Sequence, residues 1–160
     1  MDSYDGHLVL QSLALGIDCL RDDIVQILAE ELKPTSIYER SDHAGRNAEG
    51  IEKRNGNLLG HAPDEIAIFE NGMKFLVDAK HGQKTGFFLD QRANRIVARS
   101  VAGSKRVINL FSYTGAFTIA AHLGGAQEVV SVDSSRSAME MLRKNLLLND
   151  ISPQSTGVCD

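Results

Sequence analysis

The residues whose types and spacing could do chemistry are the run FSYTGAF (Phe111–Phe117) and Asp133, at the end of EVVSVD (Glu128–Asp133). VINLF (Val107–Phe111) reads as a buried strand. A loop with Gly115 carries it into a short apolar helix through Ile119, Ala120 and Ala121. In a parallel α/β sheet, ligands bind at the carboxyl ends of the strands, where the first loop turns into the first helix. Asp133 follows Gly115 at close to the roughly 20-residue spacing at which an acid on the next strand binds ribose hydroxyls. A carboxylate suits that task because it accepts both bonds of a vicinal diol, and charge-assisted hydrogen bonds are the stronger kind.

The loop also narrows the choice of nucleotide. Dinucleotide sites use several glycines, G-x-G-x-x-G, so that backbone can approach a pyrophosphate at a helix N-terminus. Here Gly115 stands alone, with Tyr113 and Thr114 where a pyrophosphate would need space. S-adenosylmethionine (SAM) has no phosphate, so one glycine suffices. Phe111, Tyr113 and Phe117 are aromatic neighbours there, and aromatic faces tolerate a sulfonium as they do other cations. A plain βαβ unit with a polar strand end would show the same pattern. A second constellation, HGQKTGFFLDQRANR (His81–Arg95), gathers Lys84, Asp90, Gln91 and Arg92 beside Phe87 and Phe88. It could line the open side of a ligand, or form a surface turn with Asp90 as a helix N-cap.

The elements that must position these residues follow from periodicity. Residues 7–15 are apolar enough for a buried strand closed by Gly16. Asp18 is a candidate N-cap for a helix carrying Leu20, Ile24, Ile27, Leu28 and Leu32 on one face and ending before Pro34. SIYER (Ser36–Arg40) reads as a short strand, and residues 41–57 as a polar loop with a short helix. EIAIFENGMKFLVDA alternates on both sides of Asn71-Gly72, the pair a type I′ hairpin turn prefers, so a scaffold hairpin is expected there. Residues 91–101 read as a helix with Ile96 and Val97 on its apolar side. After EVVSVD, an amphipathic helix is expected over residues 134–150, capped by Ser134 or Ser135, with Ala138, Met141, Leu142 and Leu146 inward. Strand, helix, strand, helix at short spacing implies a parallel sheet.

Composition bounds the function. The 160 residues are 42% hydrophobic and 24% charged, with a formal net charge of −4, which suits a globular domain or two small ones. With a pI near 5.7, the chain shows no basic footprint for nucleic acid, so such binding would need a local patch or a further domain. Cys19 and Cys159 match no metal-ligand spacing; buried reduced thiols and a cytoplasmic location are expected, and no metal. No apolar run approaches membrane length, and MDSYDGH lacks the features of a signal peptide.

IYERSD (37–42), R-x-x-EGIE (Arg46 to Glu52), NGMKFLVDAKHGQKTGFFLDQR (71–92), NLFSYTGAF (109–117) and VVSVDSS (129–135) together resemble one family. It is the class I SAM-dependent methyltransferases acting on cytosine C5 of large-subunit ribosomal RNA. The resemblance implies a parent with an RNA-binding PUA domain, a central α+β domain and a Rossmann-like methyltransferase domain. This chain would hold the central domain (1–90) and the first βαβα units of the catalytic domain (91–160), an α/β fold with an α+β N-terminal part. By the same resemblance, Phe111, Ser112, Tyr113, Thr114 and Gly115 surround the methionine part of SAM and Asp133 binds its ribose. Phe88, Asp90, Gln91 and Arg92 wall the pocket, and Asp160 begins the adenine-contacting motif. The family's cysteine thiolate attacks C6 of cytosine, which makes C5 nucleophilic toward the methyl group of SAM. Neither Cys19 nor Cys159 matches that nucleophile, which is expected beyond residue 160; the chain alone should not methylate RNA. Ribosomal RNA is the implied partner of the parent, and no membrane. Three other readings stay open: a methyltransferase of another substrate class, a folding or dimerisation module pairing through an exposed strand edge, and a nucleotide-dependent oxidoreductase, which the single glycine disfavours.

Overall fold

Chain contacts divide the protein into two units, Met1–Ile66 with Val77–Phe87, and Ala67–Leu76 with Phe88 onward. The computed structural model describes the backbone of residues 1–159 and the side chains of residues 1–154. Asp160, expected at the adenine, lies outside the described residues.

The first unit is built on a four-stranded sheet in the order β1 (Asp2–Tyr4), β2 (His7–Leu10), β3 (Ser36–Ser41) and β4 (Arg54–Leu59). β1 and β2 form a hairpin whose turn residues, Asp5 and Gly6, both have positive φ (45° and 82°), the geometry a type I′ turn requires. β2 and β3 run parallel, and β3 and β4 antiparallel. The strand expected over residues 7–15 ends at Leu10; Leu13 and Leu15 are exposed, and helix α1 (Leu15–Cys19) has already begun. Asp18 is not a cap. It lies inside α1, and its carboxylate takes the guanidinium of fully buried Arg46 at 2.8 Å. Arg46 also donates to the carbonyls of Ser12 and Glu52, so the polar segment 41–57 is organised around one buried cation and includes helix α3 (Gly45–Ala48). Cys19, expected to be buried, is exposed.

Helix α2 (Arg21–Leu32) turns a different face to the sheet from the one expected. Leu20, Ile27 and Leu32 are about half exposed, while Val25 and Leu28 pack on Leu8, Leu10 and Ile37. The reason lies on β3, where Glu39 is buried and accepts a hydrogen bond from Arg21 Nε at 3.0 Å. The helix stripe that can meet this face must therefore begin with Arg21 rather than with Leu20.

In the second unit, strands β5 (Ile66–Glu70) and β6 (Met73–Val77) form the hairpin that Asn71-Gly72 predicts, with φ of 50° and 81° at the turn. A 3-10 turn (Leu89–Gln91) leads into helix α4 (Arg92–Val101). Ile96 and Val97 are exposed there, and the buried residue is Arg95, 1% exposed, whose fork meets Glu70 of β5 at 2.8 and 2.7 Å. A desolvated Arg–carboxylate fork has displaced the expected apolar stripe. Strands β7 (Arg106–Leu110), β8 (Glu128–Val132) and β9 (Thr156–Cys159) run parallel in that order, linked by helices α5 (Ala116–Leu123) and α6 (Arg136–Leu148). Ser135 caps α6, accepting from the Ala138 amide, and Ala138, Met141, Leu142 and Leu146 point inward as expected. Gly124 ends α5 so close to α4 that an added Cβ would lie 2.1 Å from the Arg99 carbonyl oxygen. β7 differs from the buried strand expected: Val107 packs with Ala102, Ala121 and Val129, but Ile108 and Leu110 are 68% and 60% exposed. Among the described residues, no helix is long and apolar enough to cross a membrane.

Candidate cofactor site

The loop after β7 alternates in handedness. Phe111, Tyr113 and Gly115 have φ of 56°, 48° and 82°, left-handed values that cost the two non-glycine residues about 1–3 kcal/mol each. Hydrogen bonds hold this geometry. The Ser112 amide donates to the Val132 carbonyl at 3.0 Å, extending the pairing beyond the strands, and the Gly115 amide donates to the Ser112 carbonyl at 3.0 Å. The Tyr113 amide donates to Asp133 Oδ2 at 2.8 Å. The second oxygen of Asp133 accepts from the Ser135 amide at 2.9 Å, so one carboxylate ties the loop to the start of α6. An ionised carboxylate offers about four lone-pair sites, and each oxygen keeps further acceptor capacity.

Gly115 sits where no side chain fits. Its φ is left-handed, and an added Cβ would lie 2.6 Å from Leu142 Cγ. Thr114, 4% exposed, has a hydroxyl oxygen with no hydrogen-bond partner. Ser112 is buried beside Met139, whereas Phe111 is 88% exposed.

The structure brings the second constellation to the loop through Phe88, whose ring stands edge-on to Tyr113 at 5.5 Å and 79°. Asp90 and Gln91 bond to each other and Gln91 to Asn94, around the 3-10 turn, and Arg92 is exposed at the first turn of α4. Three residues that support this site, Asn145, Arg95 and Glu70, are not legible as such in the sequence. Asn145, fully buried on α6, donates to the Thr114 carbonyl at 3.0 Å and accepts from the Leu76 amide at 2.7 Å. Arg95 donates to the Phe88 carbonyl at 2.9 Å while paired to Glu70. The signal for Asn145 is its place between Leu142 and Leu146 on an apolar stripe, where a polar residue needs a buried partner.

A family model described as S-adenosylmethionine-dependent methyltransferase matches residues 43–155. "Ribosomal RNA large subunit methyltransferase I" of Aeromonas salmonicida is 48% identical over 157 residues, which is 98% of this chain and 40% of that protein. The protein of the same name from Tolumonas auensis is 48% identical over 154 residues, 94% of this chain and 38% of its own length. The chain thus spans about two-fifths of the curated relatives it matches. Among solved structures, a Streptococcus mutans protein described as a SAM-dependent methyltransferase superposes with a TM-score of 0.85 at 29% identity, covering 99% of this chain and 40% of that one. A further structure with the same score is described as a methyltransferase complexed with SAH. The tRNA m1G37 methyltransferase of M. jannaschii, at 19% identity and a TM-score of 0.76, shares the fold. With its Rossmann-like β-α-β-α-β unit, its one-glycine loop and a family match over most of its length, the chain belongs to the S-adenosylmethionine-dependent methyltransferases.

Proposed function

We propose that this chain carries the SAM-binding part of a methyltransferase acting on cytosine C5 of large-subunit ribosomal RNA. One observation carries the choice of cofactor. The loop amides of Ser112, Tyr113 and Gly115 all donate within the protein, whereas Asp133 keeps acceptor capacity at the tip of β8. A ligand without phosphate but with a ribose diol fits that donor and acceptor balance; a dinucleotide does not. Bound SAM supplies an electrophilic methyl group. Phe111–Gly115 hold its methionine part, Asp133 orients the ribose, and Phe88 with Tyr113 form an aromatic wall. Asp90, Gln91 and Arg92 border the open side, and Asp160 contributes at the adenine.

The ribosomal RNA substrate rests on the names of the relatives and on the motif resemblance, and implies action in the cytoplasm. By the motif resemblance the nucleophilic cysteine is expected beyond residue 160, since neither Cys19 nor Cys159 matches it. Calorimetric titration with SAM, SAH and NAD tests the cofactor assignment. SAM and SAH should bind with one site per chain, NAD should not, and Asp133→Ala should abolish the signal. Binding of NAD, or of neither ligand class, would refute it. Incubation with ribosomal RNA and methyl-labelled SAM should give background transfer by the chain alone.

A further inference from the structure

The hairpin of β5 and β6 reads from its sequence as scaffold, yet its bonding within the second unit leads to both walls of the cofactor loop. On one side, Glu70, 6% exposed, forks with Arg95, 1% exposed, and Arg95 Nη1 reaches the carbonyl of Phe88, whose ring meets Tyr113. On the other side, Asn149 holds Lys74 through both backbone groups (2.9 Å from the amide, 2.6 Å to the carbonyl). Four residues earlier on α6, Asn145 takes the Leu76 amide and hands its own NH2 to Thr114. The spacing explains why asparagines can do this. Four helix residues rise about 6 Å, and two strand residues about 6.6 Å, so the side chains of Asn145 and of Asn149, the C-cap of α6, match alternate amides on one edge of β6.

From this arrangement we infer that Glu70 and Asn145 are positioning residues for SAM, each acting through another group: Glu70 through Arg95 on Phe88, Asn145 through its amide on Thr114. The inference rests on the SAM-binding reading above. In an α/β site of this kind the loop is usually set by the strand and helix it joins. Here the handedness alternates at Phe111, Tyr113 and Gly115, and local bonds alone leave the Thr114 peptide, between two left-handed residues, to be held from Asn145.

The test uses SAH as probe, titrated calorimetrically into the parent chain and into Asn145→Asp and Glu70→Gln, at a temperature where circular dichroism shows all three folded. Asn145→Asp keeps the acceptor for Leu76 but sets a carboxylate against the Thr114 carbonyl. Its Kd should rise at least tenfold at pH 8. As the pH falls toward 5.5, the ratio to the parent should shrink, because a protonated carboxyl restores the donor. Glu70→Gln keeps shape and an acceptor but loosens the fork, and should raise Kd threefold or more. A purely structural role would lower the melting midpoint and leave Kd and its pH ratio unchanged; that result overturns the inference while the SAM reading stands. If Asn145→Asp does not fold, Glu70→Gln decides alone. Failure of the parent to bind SAH overturns both.

Discussion

Gly115→Ala isolates the tightest steric requirement of the site. The new Cβ would meet Leu142 at 2.6 Å from Cγ and 2.9 Å from Cδ1, on a residue that is itself fully buried and cannot move aside. Two separable effects follow. A left-handed backbone costs a residue with a Cβ about 1–2 kcal/mol, and overpacking of a well-filled core costs about 1–3 kcal/mol. The single substitution should therefore destabilise the second unit by about 2–5 kcal/mol, a large share of the roughly 5–15 kcal/mol that holds a typical domain. Leu142→Ala alone should cost about 2–5 kcal/mol by leaving a cavity, but it vacates the space that the methyl group added at position 115 needs. In the double variant the clash vanishes and the backbone strain remains, so the two changes should be coupled by about 1–3 kcal/mol in the favourable direction. Urea unfolding of the four proteins, followed by circular dichroism, closes the cycle. Additivity within about 0.5 kcal/mol, or a neutral Gly115→Ala, would refute the packing argument.

Glu70→Ala should destabilise by about 3–5 kcal/mol because it leaves Arg95 buried without its counterion; urea unfolding measures it, and a loss under about 1 kcal/mol would show the pair to be dispensable. Burial holds the His122 imidazole below its usual pKa of 6.5. The unfolded chain therefore binds more protons, so His122 contributes stability that is present above pH 6.5 and lost as the pH falls through the lowered value. His122→Gln should flatten the decline between about pH 7 and pH 5 in melting scans, and an unchanged slope would exclude this group as its source. Ile108 and Leu110 leave an apolar face open beside the β7 edge, and such surfaces invite pairing. Sedimentation should show a dimer that Ile108→Lys returns to monomer; a monomeric parent at high concentration would dismiss the homodimer.

Motifs whose signal is local are legible in the sequence, and those whose logic is long-range are not. The Asn71-Gly72 turn, the Ser135 cap and the stripe of α6 each depend on a few neighbouring residues, and the structure shows all three. The loop and Asp133 are legible as a pair because strand tips and spacing bring them together, which the bond from the Tyr113 amide makes concrete. The faces of α2 and α4 differ from the periodic expectation for one shared reason. In both helices an arginine, Arg21 or Arg95, occupies the stripe because a buried glutamate, Glu39 or Glu70, waits on a strand. Hydrophobic periodicity carries no information about a partner that is 18 to 25 positions away in sequence. β4 has no signal for a related reason: Asn55, Gly56 and Asn57 have no strand pattern of their own, and their partner β3 supplies the register.

Asp133 has a narrower meaning than its position first suggests. The strain of Phe111 and Tyr113 amounts to about 2–6 kcal/mol together, and hydrogen bonds to a charged acceptor contribute about 1.5–3 kcal/mol each. The two amide bonds that Asp133 accepts, from Tyr113 and Ser135, are thus of the size needed to offset that strain. An aspartate here is explained by the loop before any ribose is considered. Spacing from the glycine is therefore weak evidence for a nucleotide when taken alone. What gives it weight is the state of the neighbouring amides: those of Ser112, Tyr113 and Gly115 are spent on bonds within the protein, while the carboxylate that fixes the loop retains capacity for a diol. The same bonds that build the loop leave the Asp133 carboxylate as its acceptor for a ligand hydroxyl.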